Sequence, residues 1–267
     1  MSPALLEVDG LDKAFGGVVA LSRATFAVAE GSITALIGPN GAGKTTAFNV
    51  ISGFLRPDAG TIRFAGWRID GWRGDAVARA GLVRAFQAPR VLTRMSVLDN
   101  LLLAAQRHPG ERLFTALVAR GRVARREREV RRRADALLDL LRLAPLAGDY
   151  AGTLSGGQRK LLELGRALMV EPRLILLDEP MAGVAPVLGL QLLDHIRQIR
   201  DRGTTVLVIE HDMDVVMSLS DRVIVMDEGR VIAAGAPDAI QRDERVIEAY
   251  LGRLAPLPAA GSPPAAP

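Results

Sequence analysis

The chain has 267 residues, 49% of them hydrophobic, and a formal net charge of +4. This length is long for one simple domain and short for two full ones, so it predicts one α/β domain with an insertion or subdomain. The absence of cysteine excludes a disulfide framework and cysteine-based chemistry, and the lack of a signal-like N-terminus or of any run near ~18 apolar residues argues against secretion and a membrane span.

Short apolar runs predict a sheet that is interrupted by a helical insertion. The predicted strands are residues 5–8, 25–28, 33–37, 61–64, 83–86, 174–177, 205–209 and 223–226. Residues 96–142 have a helical period and are rich in Leu, Ala and Arg. The later strands are continuous apolar runs, which are typical of a parallel sheet buried on both faces. We therefore assign residues 1–253 to one domain, with a core of 1–87 and 169–253 and a mostly helical insertion at about 88–168.

Two segments have a biased composition. Residues 254–267 hold five prolines, five alanines and no charge, so we expect a disordered tail that catalysis does not need. Residues 121–133 hold seven arginines against two glutamates, which is compatible with a nucleic-acid or anionic-membrane patch. No aromatic residue for base stacking lies among the arginines, so we favour the solvated face of a helix that also carries Val123 and Val130, and expect no nucleic-acid partner.

Residues 38–45 fit the phosphate-binding pattern G-x-x-x-x-G-K-[ST] and follow an apolar strand. The glycines allow backbone N–H groups to surround phosphate oxygens, and a helix that we expect to begin at Gly43 adds partial positive charge. Lys44 is expected to reach the β- and γ-phosphates, Thr45 to place its hydroxyl on Mg²⁺, and Thr46 to bond an α-phosphate oxygen. The predicted nucleotide-binding residues of this loop are Gly38, Pro39, Asn40, Gly41, Ala42, Gly43, Lys44, Thr45 and Thr46.

Two further motifs indicate a protein family. Residues 153–159 read TLSGGQR before a helical run, and residues 175–180 read ILLDEP shortly afterwards. With the phosphate loop, they resemble the nucleotide-binding subunit of ABC transporters, and the likeness extends from about residue 5 to 252. The resemblance implies an α/β P-loop NTPase core with a mostly parallel sheet, an N-terminal antiparallel β part and a helical subdomain. It also implies an ATPase that uses ATP and Mg²⁺.

The chemistry of the ILLDEP motif supports hydrolysis. Asp178 ends a buried apolar strand, where its carboxylate can hold the Mg²⁺ shell. Glu179 follows it and is placed to polarise an attacking water as a general base. By resemblance, His211 matches the switch histidine that contacts the γ-phosphate, Gln87 matches the glutamine that reaches Mg²⁺ and the water, and Phe15 matches the aromatic residue that stacks on adenine. The alternatives are a structural histidine at 211 and a core aromatic residue at 15.

The LSGGQ motif implies a site that is shared between two chains. In the family, this motif begins a helix and forms a second anion-binding site. When the two subunits come together, this site contacts the ATP that is bound by the other subunit. The residues concerned are Ser155, Gly156, Gly157 and Gln158. Ala185 departs from the family pattern, because ABC subunits usually carry Asp there and amino-acid importers tend to carry Asn. Alanine lacks the side-chain hydrogen bond that helps the two sites communicate, so we expect weakened coupling with the chemistry retained.

Several segments resemble the ATPase of branched-chain amino acid importers, namely residues 13–17, 84–106, 210–213 and 246–252. Urea and short-amide importers share them, so those cargoes, or another amino acid, are alternatives. The implied partners are a second ATPase subunit, identical or related, integral membrane permease subunits and, indirectly, a solute-binding protein. The protein is then expected at the cytoplasmic face of the cell membrane, where residues 87–92 and 95–101 would dock a coupling helix of the permease.

Three other classes of protein carry a phosphate loop. A soluble ABC ATPase that acts on ribosomes or nucleic acid is the first alternative, although such proteins commonly have two cassettes or a long coiled coil. A P-loop kinase would lack LSGGQ and the glutamate after Asp178. A non-hydrolysing scaffold is disfavoured because Lys44, Glu179 and His211 are all present.

Overall fold

The computed structural model describes residues 3–85, 91–105 and 120–251. One sheet has four antiparallel strands in the order β2-β1-β4-β5, and the other has six strands in the order β10-β9-β3-β8-β7-β6. All pairs in the larger sheet are parallel except β9 with β10. The strands are β1 (Ala4–Phe15), β2 (Val18–Ala29), β3 (Ile33–Ile37), β4 (Ala59–Phe64), β5 (Trp67–Arg68), β6 (Leu82–Ala85), β7 (Leu174–Asp178), β8 (Thr205–Ile209), β9 (Arg222–Asp227) and β10 (Arg230–Gly235).

Helices cover the larger sheet and form the insertion. They are α1 (Lys44–Ile51), α2 (Gly74–Arg79), α3 (Val97–Ala104), α4 (Arg120–Leu140), α5 (Gly156–Leu168), α6 (Pro186–Asp201), α7 (Met213–Leu219), α8 (Pro237–Ile240) and α9 (Glu244–Leu251). Helices α3, α4 and α5 pack against one another. In the described ranges, no helix combines the length and the apolar character needed to cross a membrane.

The larger sheet is buried on both faces, as its apolar strands predict. Ile175 and Leu177 belong to a hydrophobic cluster that includes α3 to α6, whereas Leu174 and Leu176 belong to a second cluster with α1 and the antiparallel sheet. Successive side chains of a strand point to opposite faces, so each strand contributes to both clusters. Burial of one such Leu or Ile side chain stabilises the fold by roughly 1.5–3 kcal/mol.

The α/β class is confirmed, and the differences from prediction are local. Strands β1 and β2 each have 12 residues, because register shifts allow pairing to continue past the polar residues that interrupt the apolar pattern. Helix α1 begins at Lys44 rather than Gly43, which is its N-cap with φ 97°. Strands β5 and β10 were not predicted. Gln87 and residues 252–267, which include the expected tail, lie outside the described residues.

The arginine-rich segment lies in α4 and has the two faces that the sequence predicts. Val130 and Ala134 are buried against α3 and α5, whereas Arg128 and Arg132 are exposed. An ion pair of 3.1 Å between Arg131 and Asp135 partly balances the charge on the exposed face. The exposed arginines of the described part, Arg125, Arg128, Arg131 and Arg132, therefore form the solvated side of a packed helix.

His195 on α6 is 2% exposed, and neither ring nitrogen has a hydrogen-bond partner among the described residues. Burial lowers the pKa of His195 from its ordinary value of 6.5, with Asp194 opposing and Arg142 reinforcing the shift. On acidification through that value, the unfolded chain binds a proton that the folded state resists. His195 alone therefore contributes a fall in the free energy of unfolding as the pH drops below about 6.5.

We expect His195→Leu to reduce this loss of stability, because leucine removes both the proton site and the two unpartnered nitrogens. Urea unfolding at several pH values between about 7.5 and 5.5 measures the difference in slope. His211→Leu removes an exposed histidine and is the matched substitution. If the free energy of unfolding depends on pH in the same way for wild type and His195→Leu, then His195 does not cause the loss of stability.

Candidate nucleotide site

The phosphate loop connects β3 to α1, and two of its glycines are required by close contacts. Gly38 has φ 147°, and a Cβ there would lie 2.1 Å from the carbonyl oxygen of Met226. Gly43 has φ 97°, and its Cβ would lie 2.4 Å from the carbonyl oxygen of Ala20. Both neighbours are backbone atoms that cannot move away cheaply. Only glycine fits at these positions, so the loop is held against β9 on one side and β2 on the other.

Lys44 fixes the shape of the loop from inside. Its Nζ donates to the carbonyl oxygens of Gly38 at 2.7 Å and Pro39 at 3.0 Å, and the residue is buried. Thr45 is exposed and Thr46 is half-buried at the first turn of α1. The loop thus offers a hydroxyl and a helix N-terminus to solvent, which is an arrangement suited to bind phosphate.

The predicted polar groups meet at one edge of the larger sheet. The loop follows β3, Asp178 ends β7, and His211 comes shortly after β8, which lies between those strands. Because parallel strands share the direction of their carboxyl ends, the turns that follow them lie together, where α/β proteins bind ligands. Gln87 is the one predicted catalytic residue that lies outside the described residues.

Asp178 is held by a buried arginine that sequence reasoning missed. Arg84 on β6 donates through Nη2 to Oδ2 of Asp178 at 2.5 Å and through Nη1 to Oδ1 of Asn49 at 2.6 Å. Its guanidinium carbon lies 5.7 Å from the ring centre of Phe48. A buried arginine must be paired, because an isolated charge is costly to desolvate. A charged residue inside an apolar strand was the available signal.

Glu179 has a strained backbone and an exposed side chain. Its φ of 48° lies in the left-handed region, which costs roughly 1–2 kcal/mol for a residue with a Cβ. The strain is maintained because its N–H donates to the carbonyl oxygen of Ile209 at 3.0 Å, which joins the end of β7 to β8. Strained residues concentrate at functional sites, and this one presents a carboxylate at the sheet edge.

The exposed His211 follows a buried acid that the sequence did not single out. Glu210 is 1% exposed, and its carboxylate accepts hydrogen bonds from the backbone N–H of Met181 at 2.9 Å and of His211 at 3.3 Å. Burial raises the pKa of Glu210, and these two hydrogen bonds oppose the shift. Glu210 thus connects the turn after Glu179 to the loop that carries His211.

Phe15 lies at the end of β1 and is 47% exposed, so it is not a core residue. The Nζ of Lys13 lies 5.5 Å from the centre of the ring and 2.7 Å from Oδ1 of Asp58. The adjoining strand β2 borders a cavity of about 640 Å³, which Gly41 of the phosphate loop also lines. An accessible aromatic ring therefore lies on the hairpin that flanks the loop.

The LSGGQ segment begins α5 with a capping box. The Oγ of Ser155 accepts from the N–H of Gln158 at 3.3 Å, and the Oε1 of Gln158 accepts from the N–H of Ser155 at 2.9 Å. Gly156 faces open space, since no described atom would lie within 4 Å of a Cβ there. At Gly157, a Cβ would lie 1.7 Å from a methyl carbon of Leu188 on α6. One glycine leaves room for a ligand, and the other allows two helices to pack.

Comparison with known families and proteins gives consistent matches. Residues 21–182 match the family described as ABC transporter, and residues 230–255 match the one described as Branched-chain amino acid ATP-binding cassette transporter. The chain is 42% identical over 248 residues to the probable branched-chain amino acid transport ATP-binding protein LivG of Archaeoglobus fulgidus, covering 93% of this chain and 95% of that protein. It is also 42% identical over 253 residues to the high-affinity branched-chain amino acid transport ATP-binding protein BraF of Pseudomonas aeruginosa, covering 94% and 99%.

Solved structures agree with this. An ATP-binding cassette of an ABC transporter in its ADP conformation superposes with a TM-score of 0.80 at 36% identity, covering 94% of this chain and 100% of that one. A nucleotide-free ATP-binding cassette from an ABC transporter gives a TM-score of 0.79 at 38% identity, covering 93% and 99%. The likeness therefore extends over almost the whole chain.

Ala185 is the N-cap of α6, and its methyl group cannot accept a hydrogen bond from the first turn of that helix. We expect Ala185→Asp and Ala185→Asn each to raise the free energy of unfolding by about 1 kcal/mol, because both supply the missing acceptor. Urea unfolding measures the change, and Ala185→Leu is the control that enlarges the side chain without an acceptor. Equal stability of the Asp and Leu variants would refute the capping argument.

Proposed function

Because this chain belongs to the ABC transporter family of ATP-binding cassettes, we propose that it is the subunit that energises import of branched-chain amino acids. It binds ATP and is an ATPase of the ABC type. The observation that carries the cargo is the 42% identity, over nearly full length, to proteins named for branched-chain amino acid transport. The match at residues 230–255 supports the same cargo from a part of the chain outside the match at 21–182.

We assign each group at the sheet edge one role in hydrolysis. The phosphate loop surrounds the β- and γ-phosphates, and Lys44 neutralises their charge. Glu179 accepts a proton from the attacking water, which is a contribution typically worth 10²–10⁴-fold in rate. His211 contacts the γ-phosphate, and Phe15 stacks on the adenine ring. The strained backbone of Glu179 supports the proton-accepting role of this residue, because the fold maintains that conformation although it costs free energy.

The residues beside the loop fit a magnesium ion. Mg²⁺ prefers oxygen ligands and is usually bound by one or two carboxylates together with substrate phosphates. Thr45 exposes its hydroxyl, and the hydrogen bond from Arg84 goes to Oδ2 of Asp178, which leaves Oδ1 for another partner. When bound there, the ion supplies charge neutralisation at the phosphates. Gln87 would complete the set.

We further propose that the catalytic site is shared between two copies of the subunit or between two related subunits. The segment 155–158 would bind the γ-phosphate of ATP held by the other chain. The open space beside Gly156 and the helix N-terminus that Ser155 caps both support this role. ATP then links the two chains, and hydrolysis removes the link.

The proposed docking surface for a permease subunit at the cytoplasmic face of the membrane consists of residues 87–92, of which the structure describes only 91 and 92, and residues 95–101. Asn100 holds this segment in place, because its buried amide donates to the carbonyl oxygens of Leu92 at 3.0 Å and Ser96 at 2.9 Å. Its Oδ1 accepts from Arg166 of α5 at 3.2 Å. The exposed Tyr150 pairs with Ser96 and adds an aromatic side chain to the same surface. The docking surface is thus fixed to the helix that begins with LSGGQ.

We expect Glu179→Gln to bind ATP but to hydrolyse it at least about 100-fold more slowly, because the general base is lost. The trapped nucleotide should convert the protein from monomer to dimer on gel filtration in the presence of ATP. Ser155→Ala in the same background is the control that should weaken the dimer. Normal hydrolysis by Glu179→Gln would show that the base lies elsewhere, and a protein that stays monomeric in the presence of ATP would refute a site shared between two identical copies.

The cargo is tested by uptake in the native host. Deletion of the gene should abolish high-affinity uptake of labelled leucine, isoleucine and valine and leave urea uptake unchanged. Wild-type protein should restore uptake, and Glu179→Gln should not. Loss of urea or amide uptake instead would show that the protein energises import of that alternative cargo.

A further inference from the structure

The turn that follows Glu179 is held by a lysine from α5. The Nζ of Lys160 donates to the carbonyl oxygens of Ala182 at 2.5 Å, Pro180 at 2.9 Å and Glu179 at 3.4 Å. An ammonium group has three N–H donors. Here all three contacts are made to carbonyl oxygens within residues 179–182. Burial lowers the pKa of Lys160, and the charge of Glu210 is the largest influence that opposes the shift.

The same turn is fixed on its other side by β8. Glu210 accepts from the N–H of Met181 at 2.9 Å, and the N–H of Glu179 donates to the carbonyl oxygen of Ile209 at 3.0 Å. Within the turn, the N–H of Ala182 donates to the carbonyl oxygen of Glu179 at 3.1 Å. The backbone of Glu179 therefore has two supports, one on β8 beside the switch histidine and one on α5.

Lys160 and the LSGGQ residues belong to the same helix end. A span of five residues from Ser155 to Lys160 rises roughly 7 Å along a helix, so the two positions move as one rigid unit. Ser155 and Gln158 tie the first turn together through their capping box. A displacement of this helix end changes the position of the Lys160 ammonium and of the carbonyl groups that it holds.

We propose that Lys160 is a positioning residue that transmits contact between LSGGQ and the partner's nucleotide to the base Glu179 of its own chain. The inference rests on the shared site proposed above. The LSGGQ residues and Glu179 are then connected inside one chain, from α5 to the turn at residues 179–182. Ala185, which lies after this turn, provides no side-chain hydrogen bond of its own. Lys160 touches neither nucleotide in this scheme, so its effect appears in kcat rather than in binding.

Lys160→Met keeps the length of the side chain and removes the charge and the donors. We expect kcat to fall roughly tenfold while KM for ATP changes by less than about threefold, because ground-state binding is untouched. Lys160→Arg retains charge and donors and should restore most of kcat. Should the Met variant not fold, Lys160→Gln serves as the neutral variant, and thermal unfolding is followed for each protein.

A double-mutant cycle separates positioning from a purely structural role. Ser155→Ala should lower kcat in both backgrounds, because it removes a contact with the partner's nucleotide, but the fall should be at least about threefold smaller in the Lys160→Met background, where the route to Glu179 is already broken. Additive effects, or wild-type kcat in Lys160→Met, overturn the proposal. ATP-dependent dimerisation of Glu179→Gln is measured in parallel: a dimer with additive effects rejects only the role of Lys160, whereas absence of a dimer rejects a site shared between identical copies of the chain.

Discussion

The close approach of the phosphate loop to the ends of its neighbouring strands constrains the rest of the site. Gly38 lies so near the carbonyl oxygen of Met226 that no side chain fits between them. This contact fixes the loop relative to β9, and the parallel pairing of β3, β8 and β7 then fixes where Asp178 and the loop with His211 end. Asp178, Glu179 and His211 are thus placed by the register of the sheet, and a register shift of one residue would turn every side chain of a strand to the opposite face.

Buried charge is the second organising element, and each buried ion has specific partners. Arg84 joins β6, α1 and β7 through Asn49 and Asp178, so the carboxylate of Asp178 is held in one orientation. Glu210 accepts from two backbone N–H groups in different loops. Such groups lose hydration on folding and recover it only through well-placed hydrogen bonds, which makes their geometry exacting. These hydrogen bonds hold Asp178 and the loop that carries His211 in place.

Motifs with fixed spacing allowed parts of the site to be predicted from the sequence. Contacts between residues that lie far apart in the chain could not be predicted in this way. The loop at 38–45 and the pair Asp178–Glu179 could be located because their chemistry requires neighbouring residues and an adjoining apolar strand. Arg84 could not be paired with Asp178, because 94 residues separate them and only strand order brings β6 beside β7. The lengths of β1 and β2 were underestimated for a related reason, since register shifts that tolerate polar residues arise from pairing rather than from local pattern.

The two glycines of the LSGGQ segment have different surroundings. Gly157 brings α5 against Leu188 of α6, while Gly156 leaves its surroundings open. The first contact joins α5 to the helix that follows Ala185, and Lys160 joins it to the turn before that helix. Helix α5 therefore contacts both ends of the segment between Glu179 and α6. A segment held at both ends by one helix must respond to any displacement of that helix, even though Ala185 contributes no hydrogen-bonding side chain.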